Sequence, residues 1–142
     1  MSHFPILKEY VEELDLTVQK VDEEKELLVV NNIKYSGAIE GMIMDIEGDV
    51  LVVVQSIFDL KDPKYEGLLN NLDFYQELLR CNGLFEGPGA FVLDETDVLF
   101  RAILPVENLD LNELRATVIS LDRGLADWAC KFEKFVIGGN VA

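Results

Sequence analysis

The sequence predicts an α+β fold: a helix, three strands, a second helix, two strands and a last helix, with a mainly antiparallel sheet and helices packed on it. Three observations carry the prediction. Apolar residues recur at 3,4 spacing in three separate stretches. Two apolar runs, Gly41–Glu47 and Val50–Ile57, are divided by Gly48-Asp49, a turn pair with Gly at the first central position. Two further short runs, Ala90–Asp94 and Val98–Leu104, are joined by Glu95-Thr96-Asp97, and Pro105 stops the second.

The first helix runs from Phe4 to about Asp15. Phe4, Leu7, Val11 and Leu14 form its apolar stripe, Pro5 suits a first turn, and Glu9, Glu12 and Glu13 fall on the other face. A helix this short needs packing to persist. Glu26–Ile33 is rich in Leu and Val and reads as the first strand.

The Gly48-Asp49 turn sets a register in which Glu47 meets Val50, Ile46 meets Leu51, Met44 meets Val53 and Met42 meets Gln55. One face then carries Met44, Ile46, Leu51 and Val53, the other Ile43, Val52 and Val54 beside Asp45 and Glu47. A sheet covered on one side needs only one apolar face. The second set is therefore either core beneath a helix or a surface for a partner. Met42 and Met44 are open to the same two readings, since thioethers fill core gaps and also suit variable partners.

Asp62-Pro63 reads as the start of the second helix, with Tyr65, Leu68, Leu72, Tyr75 and Leu79 on one stripe and Gly83 as a left-handed cap after Asn82. That stripe serves intramolecular core or a helix-mediated dimer equally well, and Tyr65, Leu68, Leu72 and Tyr75 are its candidate dimer residues. Asp110 and Glu113 have capping-box spacing. Leu111, Leu114, Val118, Leu121, Leu125, Trp128, Phe132 and Phe135 follow at 3,4 spacing, interrupted by Gly124 and closed by Gly138-Gly139. On this stripe Trp128 is a core residue.

With 142 residues, 49% of them hydrophobic and 27% charged, the chain fits one globular domain spanning 1–142. The formal charge of −15, from 27 acidic and 12 basic residues, repels phosphate backbones and anionic lipid, which excludes nucleic acid as an expected partner. It also favours solubility and is compatible with a basic or weakly charged protein partner. The longest apolar runs, such as Val50–Val54, are too short to span a bilayer, and Glu9, Glu12 and Glu13 stand where a signal peptide would be apolar. A cytoplasmic location without membrane insertion is the expectation.

No reaction chemistry emerges. His3 is the sole histidine, which excludes a His-dependent triad or a histidine-rich metal site. Cys81 and Cys130 are isolated and read as reduced thiols. Gly87-Pro88-Gly89 has no Lys to meet a phosphate and reads as a structural turn. Asp94, Glu95 and Asp97 lack the ligand spacing of a calcium loop and read as a solvated turn. Neither a catalytic residue set, a metal site nor a cofactor is expected.

Several short segments add a further reading. Leu78-Leu79-Arg80-Cys81-Asn82 ends a helix, and Gly87-Pro88-Gly89-Ala90-Phe91-Val92-Leu93-Asp94 leads into a strand. Val98 to Leu104-Pro105 follows, then Leu109-Asp110 opens a helix reaching Ala126-Asp127-Trp128. Over about Leu68–Phe135 this pattern resembles the type III secretion chaperone-like superfamily, which includes Tir-chaperone-like and YbjN-like proteins. The resemblance implies one secretion-chaperone-like domain that commonly dimerises. It also implies a non-catalytic module that holds another protein or peptide on apolar surfaces, here Phe4, Leu7, Val11, Ile43, Val52 and Val54. The alternative is a homodimeric regulatory or structural protein of the YbjN-like type with no unfolded client.

Overall fold

The computed structural model describes residues 2–32, 39–83, 85, 87–132, 135–137 and 140–141. Helix α1 spans Phe4–Glu13, with Pro5 in its first turn. Four strands follow: β1 (Thr17–Asp22), β2 (Leu27–Asn32), β3 (Ile39–Glu47) and β4 (Val50–Asp59). A 3₁₀ turn at Pro63–Tyr65 precedes α2 (Leu72–Asn82). Then come β5 (Ala90–Asp94), β6 (Asp97–Pro105), α3 (Leu111–Phe132) and two short strands, β7 (Val136–Ile137) and β8 (Asn140–Val141). The predicted class holds, helix–strands–helix–strands–helix, and the structure adds β1 ahead of the three expected strands. Every residue of β1 but Asp22 is exposed, so the edge strand lacks the apolar alternation that marks a half-buried one.

The main sheet has six strands in the order β1-β2-β3-β4-β6-β5, each pair antiparallel. The Gly48-Asp49 turn forms as expected, with Gly48 at φ +62°. The register is that read from sequence at Glu47↔Val50, Ile46↔Leu51 and Met44↔Val53. Met42, Met44, Leu51 and Val53 are buried, joined across the sheet by Leu28, Val30, Phe100, Ala102 and Leu104. Phe4, Leu7 and Val11 from α1 and Leu114, Val118 and Leu121 from α3 complete this core. A second cluster gathers Phe58, Phe74, Leu78, Phe91, Val98, Trp128 and Phe135, so α2 packs beside α3 on the same side. Burial of such apolar area is the main stabilising term.

The second helix departs from the sequence reading. The continuous stripe starting at Asp62-Pro63 is instead broken: Asp62 caps only the 3₁₀ turn, and Gly67 at φ +95° reverses the chain. The helix restarts at Asn71, whose side chain accepts the amide of Phe74 at 3.1 Å. Restarting resets the helical phase. Phe74, Glu77, Leu78 and Cys81 turn inward, whereas Leu72 and Leu79 turn out. Gly83 is also not the left-handed cap. It is right-handed at φ −71°, and its amide closes onto Arg80 O. The Asn82 side chain instead bridges to β5, accepting Phe91 N–H at 2.6 Å and donating to Phe91 O at 3.2 Å.

Helix α3 starts as predicted, Asp110 accepting the Glu113 amide at 2.7 Å. Gly124 does not break it, and its missing side chain has a use. A Cβ there would lie 1.9 Å from the Phe85 ring, so the glycine makes the notch in which that ring rests. Phe85 in turn meets Phe91 and Phe100 edge-on at 5.3 and 5.4 Å. The helix ends at Phe132, so Phe135 joins the core from beyond it. The Gly138-Gly139 stop falls outside the described residues.

Candidate functional site

The helices that pack on the main sheet all lie on one face, and the sheet registers define what the other face presents. One row across it reads Asp22, Leu27, Asp45, Val52 and Ile103. The next reads Lys20, Val29, Ile43, Val54, Arg101 and Ala90, followed by Ser56, Leu99 and Val92. A last row holds Asp59, Asp97 and Asp94. Ile103 is 54% exposed and Ile43 37%, while Val52 and Val54 are half-buried by their neighbours. Among the described residues, Ile43, Val52 and Val54 belong to neither buried cluster beneath the helices. Ile103 joins them. Burial alternates along Val98–Leu104, with Val98, Phe100, Ala102 and Leu104 buried and the intervening residues not, whereas the sequence of this stretch is apolar throughout except Arg101 and carries no such alternation.

Phe4, Leu7 and Val11 behave differently. They are buried in the first core cluster against the sheet. The expectation that they form a partner surface is corrected, because a ten-residue helix persists only by committing its apolar stripe to the sheet. Met42 and Met44 are core as well.

A second apolar surface lies on α2. Leu72 is 68% exposed and Leu79 71%, one stripe seven residues apart, with Leu69 nearby in sequence and also exposed. Tyr75, between them on this face, is half-buried, and its hydroxyl donates to Leu69 O at 2.6 Å. Burial raises the Tyr75 phenol above its ordinary pKa. Of the four candidate dimer residues, Leu68 is fully buried in the second cluster and Tyr65 is half-buried against Phe58, ring centroids 4.5 Å apart. Spacing left Leu68 open between core and dimer surface and did not single out Leu79 as exposed, because the break before Asn71 is invisible to spacing alone.

The acidic groups are ordinary in geometry. Asp59 accepts the Lys61 amide at 2.9 Å and the Thr96 hydroxyl at 2.9 Å, and these bonds hold its carboxyl below the usual range. Asp45 is pushed the other way, first by burial, then by a hydrogen bond and the charge of Glu47, with Lys25 opposing. Among the described residues no group of His, Cys, Asp and Glu is arranged to hold a metal. The glycine-rich loop is a packing device: Gly89 sits at φ +115°, and a Cβ there would meet Phe100 Cζ at 2.1 Å. Trp128 and Cys81 are buried, Trp128 stacking on Phe58 at 6.1 Å. The Cys130 side chain lies outside the described residues. Among the described residues no helix is long and apolar enough to cross a membrane.

Comparison with known proteins agrees with this architecture. A family model described as CesT_Tir_1 matches residues 1–137. The structure resembles the Yersinia pestis type III secretion chaperone SycH, solved with a stable fragment of YscM2, at TM-score 0.55 and 20% identity over 88% of this chain and 98% of that one. It resembles a chain of the ExsC-ExsE complex at TM-score 0.55 and 19% identity, over 88% of this chain and 89% of that one. An uncharacterised protein from Methanothermobacter thermautotrophicus aligns at TM-score 0.61 and 14% identity, over 93% and 97%. At these identities the structures speak for the fold. No curated protein matches the sequence.

Proposed function

The chain belongs to the CesT_Tir_1 family, and from that premise we propose that it is a non-catalytic, chaperone-like module of the cytoplasm that holds a partner polypeptide. The observation that carries the reading is the uncovered outer face of the sheet, where Ile43, Val52, Val54 and Ile103 form an apolar band open to solvent. Monomers rarely leave such a band exposed without a use. The similar structures of SycH and ExsC were solved with protein partners, which supports the same use here.

Suppression of aggregation tests it. The protein, added to reduced insulin, is expected to slow the appearance of light scattering, and Ile103→Asp with Val52→Asp is expected to remove that effect while the circular dichroism spectrum stays native. A double variant that holds insulin as well as the parent would refute the assignment to this face.

A second reading rests on a different observation. The exposed Leu72 and Leu79 stripe of α2 fits a homodimer of the YbjN-like type, in which two copies cover each other's helix. A stable interface of this kind should bury at least about 1,000 Å². Light scattering on the parent and on Leu72→Glu/Leu79→Glu decides: a dimer that the variant converts to monomer supports it. The two readings use different surfaces and are compatible.

A further inference from the structure

A cavity of about 270 Å³ lies between α3, the C-terminal end of α2 and the chain leading into β5. Its apolar wall is Cys81 from α2, Phe85 and, from α3, Ala116 and Ile119. Two glycines shape it. Gly124 makes the notch that seats Phe85, and Gly87 lies so close to α3 that a Cβ there would stand 2.8 Å from Ala116 O and 3.0 Å from Ser120 Cβ. Ser120 also lines the cavity and is only 5% exposed, and its Oγ has no hydrogen-bond partner among the described residues. The exposed Arg123 and Asp127 bring opposite charges to the mouth. We propose that this cavity binds a small neutral phenol, its ring against Phe85 and Ile119 and its hydroxyl bonded to Ser120.

Size, wall chemistry and charge select this class. A dry apolar cavity of about 150 Å³ admits benzene, so the larger space here takes one substituted ring. Phe85 is a wall already in place: Gly124 seats its ring, and Phe91 and Phe100 meet it edge-on at 5.3 and 5.4 Å, so little freedom is lost when a ligand arrives. Cys81 adds a thiol, which behaves as a small hydrophobe. Ser120 selects the polar group. A buried hydroxyl is seldom left unbonded, because it has lost water without gaining a partner. On the same helix Thr117 donates to Glu113 O at 2.9 Å, whereas Ser120 makes no such bond to its own backbone. One χ1 step between staggered wells turns its Oγ toward a ligand, and a phenol hydroxyl can donate to it or accept from it. The net charge of −15 opposes an anion, and the opposite signs of Arg123 and Asp127 leave the mouth without a preference of its own. The cavity shares no residue with the outer face of the sheet or with Leu72 and Leu79.

Amide NMR of the full chain, titrated with p-cresol, toluene and p-toluate, tests the assignment. p-Cresol is expected to shift the Gly87, Ala116, Ser120 and Gly124 amides saturably. It should bind about three- to tenfold tighter than toluene, which lacks the hydroxyl, and tighter than the anionic p-toluate. Ser120→Ala is expected to bring p-cresol down to the toluene level while toluene binding stays unchanged. Ala116→Phe, at an exposed helical position, is expected to fill the cavity and stop both ligands. Circular dichroism melts confirm that each variant is folded. No saturable shift at these amides up to the solubility of p-cresol would overturn the proposal and leave the cavity to water. Shifts confined to the outer sheet face or to the α2 leucines would overturn it as well. Equal affinity for p-cresol and toluene, or p-cresol binding that Ser120→Ala leaves intact, would remove the hydroxyl from the recognition and refute the phenol class. Tighter binding of p-toluate would hand the site to a carboxylate. N-Acetyltyrosinamide carries the same ring on a peptide backbone, and its binding more tightly than p-cresol would assign the cavity to a tyrosine of another chain instead of a small molecule.

Discussion

Val52 and Val53 are adjacent in β4 and chemically identical, yet the fold gives them opposite tasks. Val53 is fully buried among the core residues of the first cluster, whereas Val52 faces outward between Asp45 and Ile103. Aspartate at each position separates the two environments. At Val53 the substitution forfeits about 1.5–3 kcal/mol of apolar burial. It also places a carboxylate in the apolar first cluster, at a cost of several kcal/mol. The sum rivals a typical total stability of about 5–15 kcal/mol, so Val53→Asp should be largely unfolded. At Val52 the cost is part of one half-buried side chain plus repulsion from Asp45 directly opposite, about 0.2–1 kcal/mol for such a pair. Val52→Asp should therefore fold, with a urea midpoint only modestly reduced, and should lose binding of a hydrophobic dye. Urea denaturation followed by circular dichroism, with dye fluorescence in parallel, gives both readouts. Equal destabilisation of the two variants would mean that the outer face is core, and the argument for an open apolar band would collapse.

Other outcomes follow from the packing. Gly124→Ala should destabilise the protein despite a helix-propensity gain of about 1 kcal/mol, because the new methyl displaces Phe85 from its notch at an overpacking cost of about 1–3 kcal/mol; a rise in melting temperature would show that the ring relaxes freely. Asn82→Ala should cost about 1–3 kcal/mol by stripping both backbone groups of Phe91 of their side-chain partner, measured by chemical denaturation against Asn82→Asp, which keeps the acceptor. Asp45 binds its proton more tightly in the fold than in the unfolded chain, so its ionisation disfavours folding. That penalty is absent below the ordinary carboxylate pKa and grows as pH rises through the raised folded value. Asp45→Asn is therefore expected to raise the melting temperature at neutral pH, with the gain vanishing at low pH; a gain largest in acid would reverse the assignment.

Much of the fold was legible because local chemistry fixed it. The Gly48-Asp49 turn imposed its own register, and register alone divides Met44, Leu51 and Val53 from Ile43, Val52 and Val54. Asp110 marked the start of α3 through a bond made within one turn. Two kinds of feature escaped. Strand β1 is almost wholly exposed and holds its place by backbone pairing with β2, a bond available to any side chain, so its sequence carries no apolar alternation. The break before α2 depends on a reversal at Gly67 and a cap at Asn71, after which Leu72 and Leu79 point outward and Phe74 and Leu78 inward. Spacing counted across such a break combines two helical phases into one false stripe, which is how Leu68 came to be grouped with Leu72.

Composition, turns and caps thus determined the class of fold and the two faces of the central hairpin. Only the tertiary structure decided which face is covered. Periodicity reports that a surface is apolar, but whether a helix lies on it depends on where the connections carry α1, α2 and α3. Here they bring all three to one side of the sheet, consuming Phe4, Leu7 and Val11 in the core. The opposite side keeps Ile43 and Ile103 open to water.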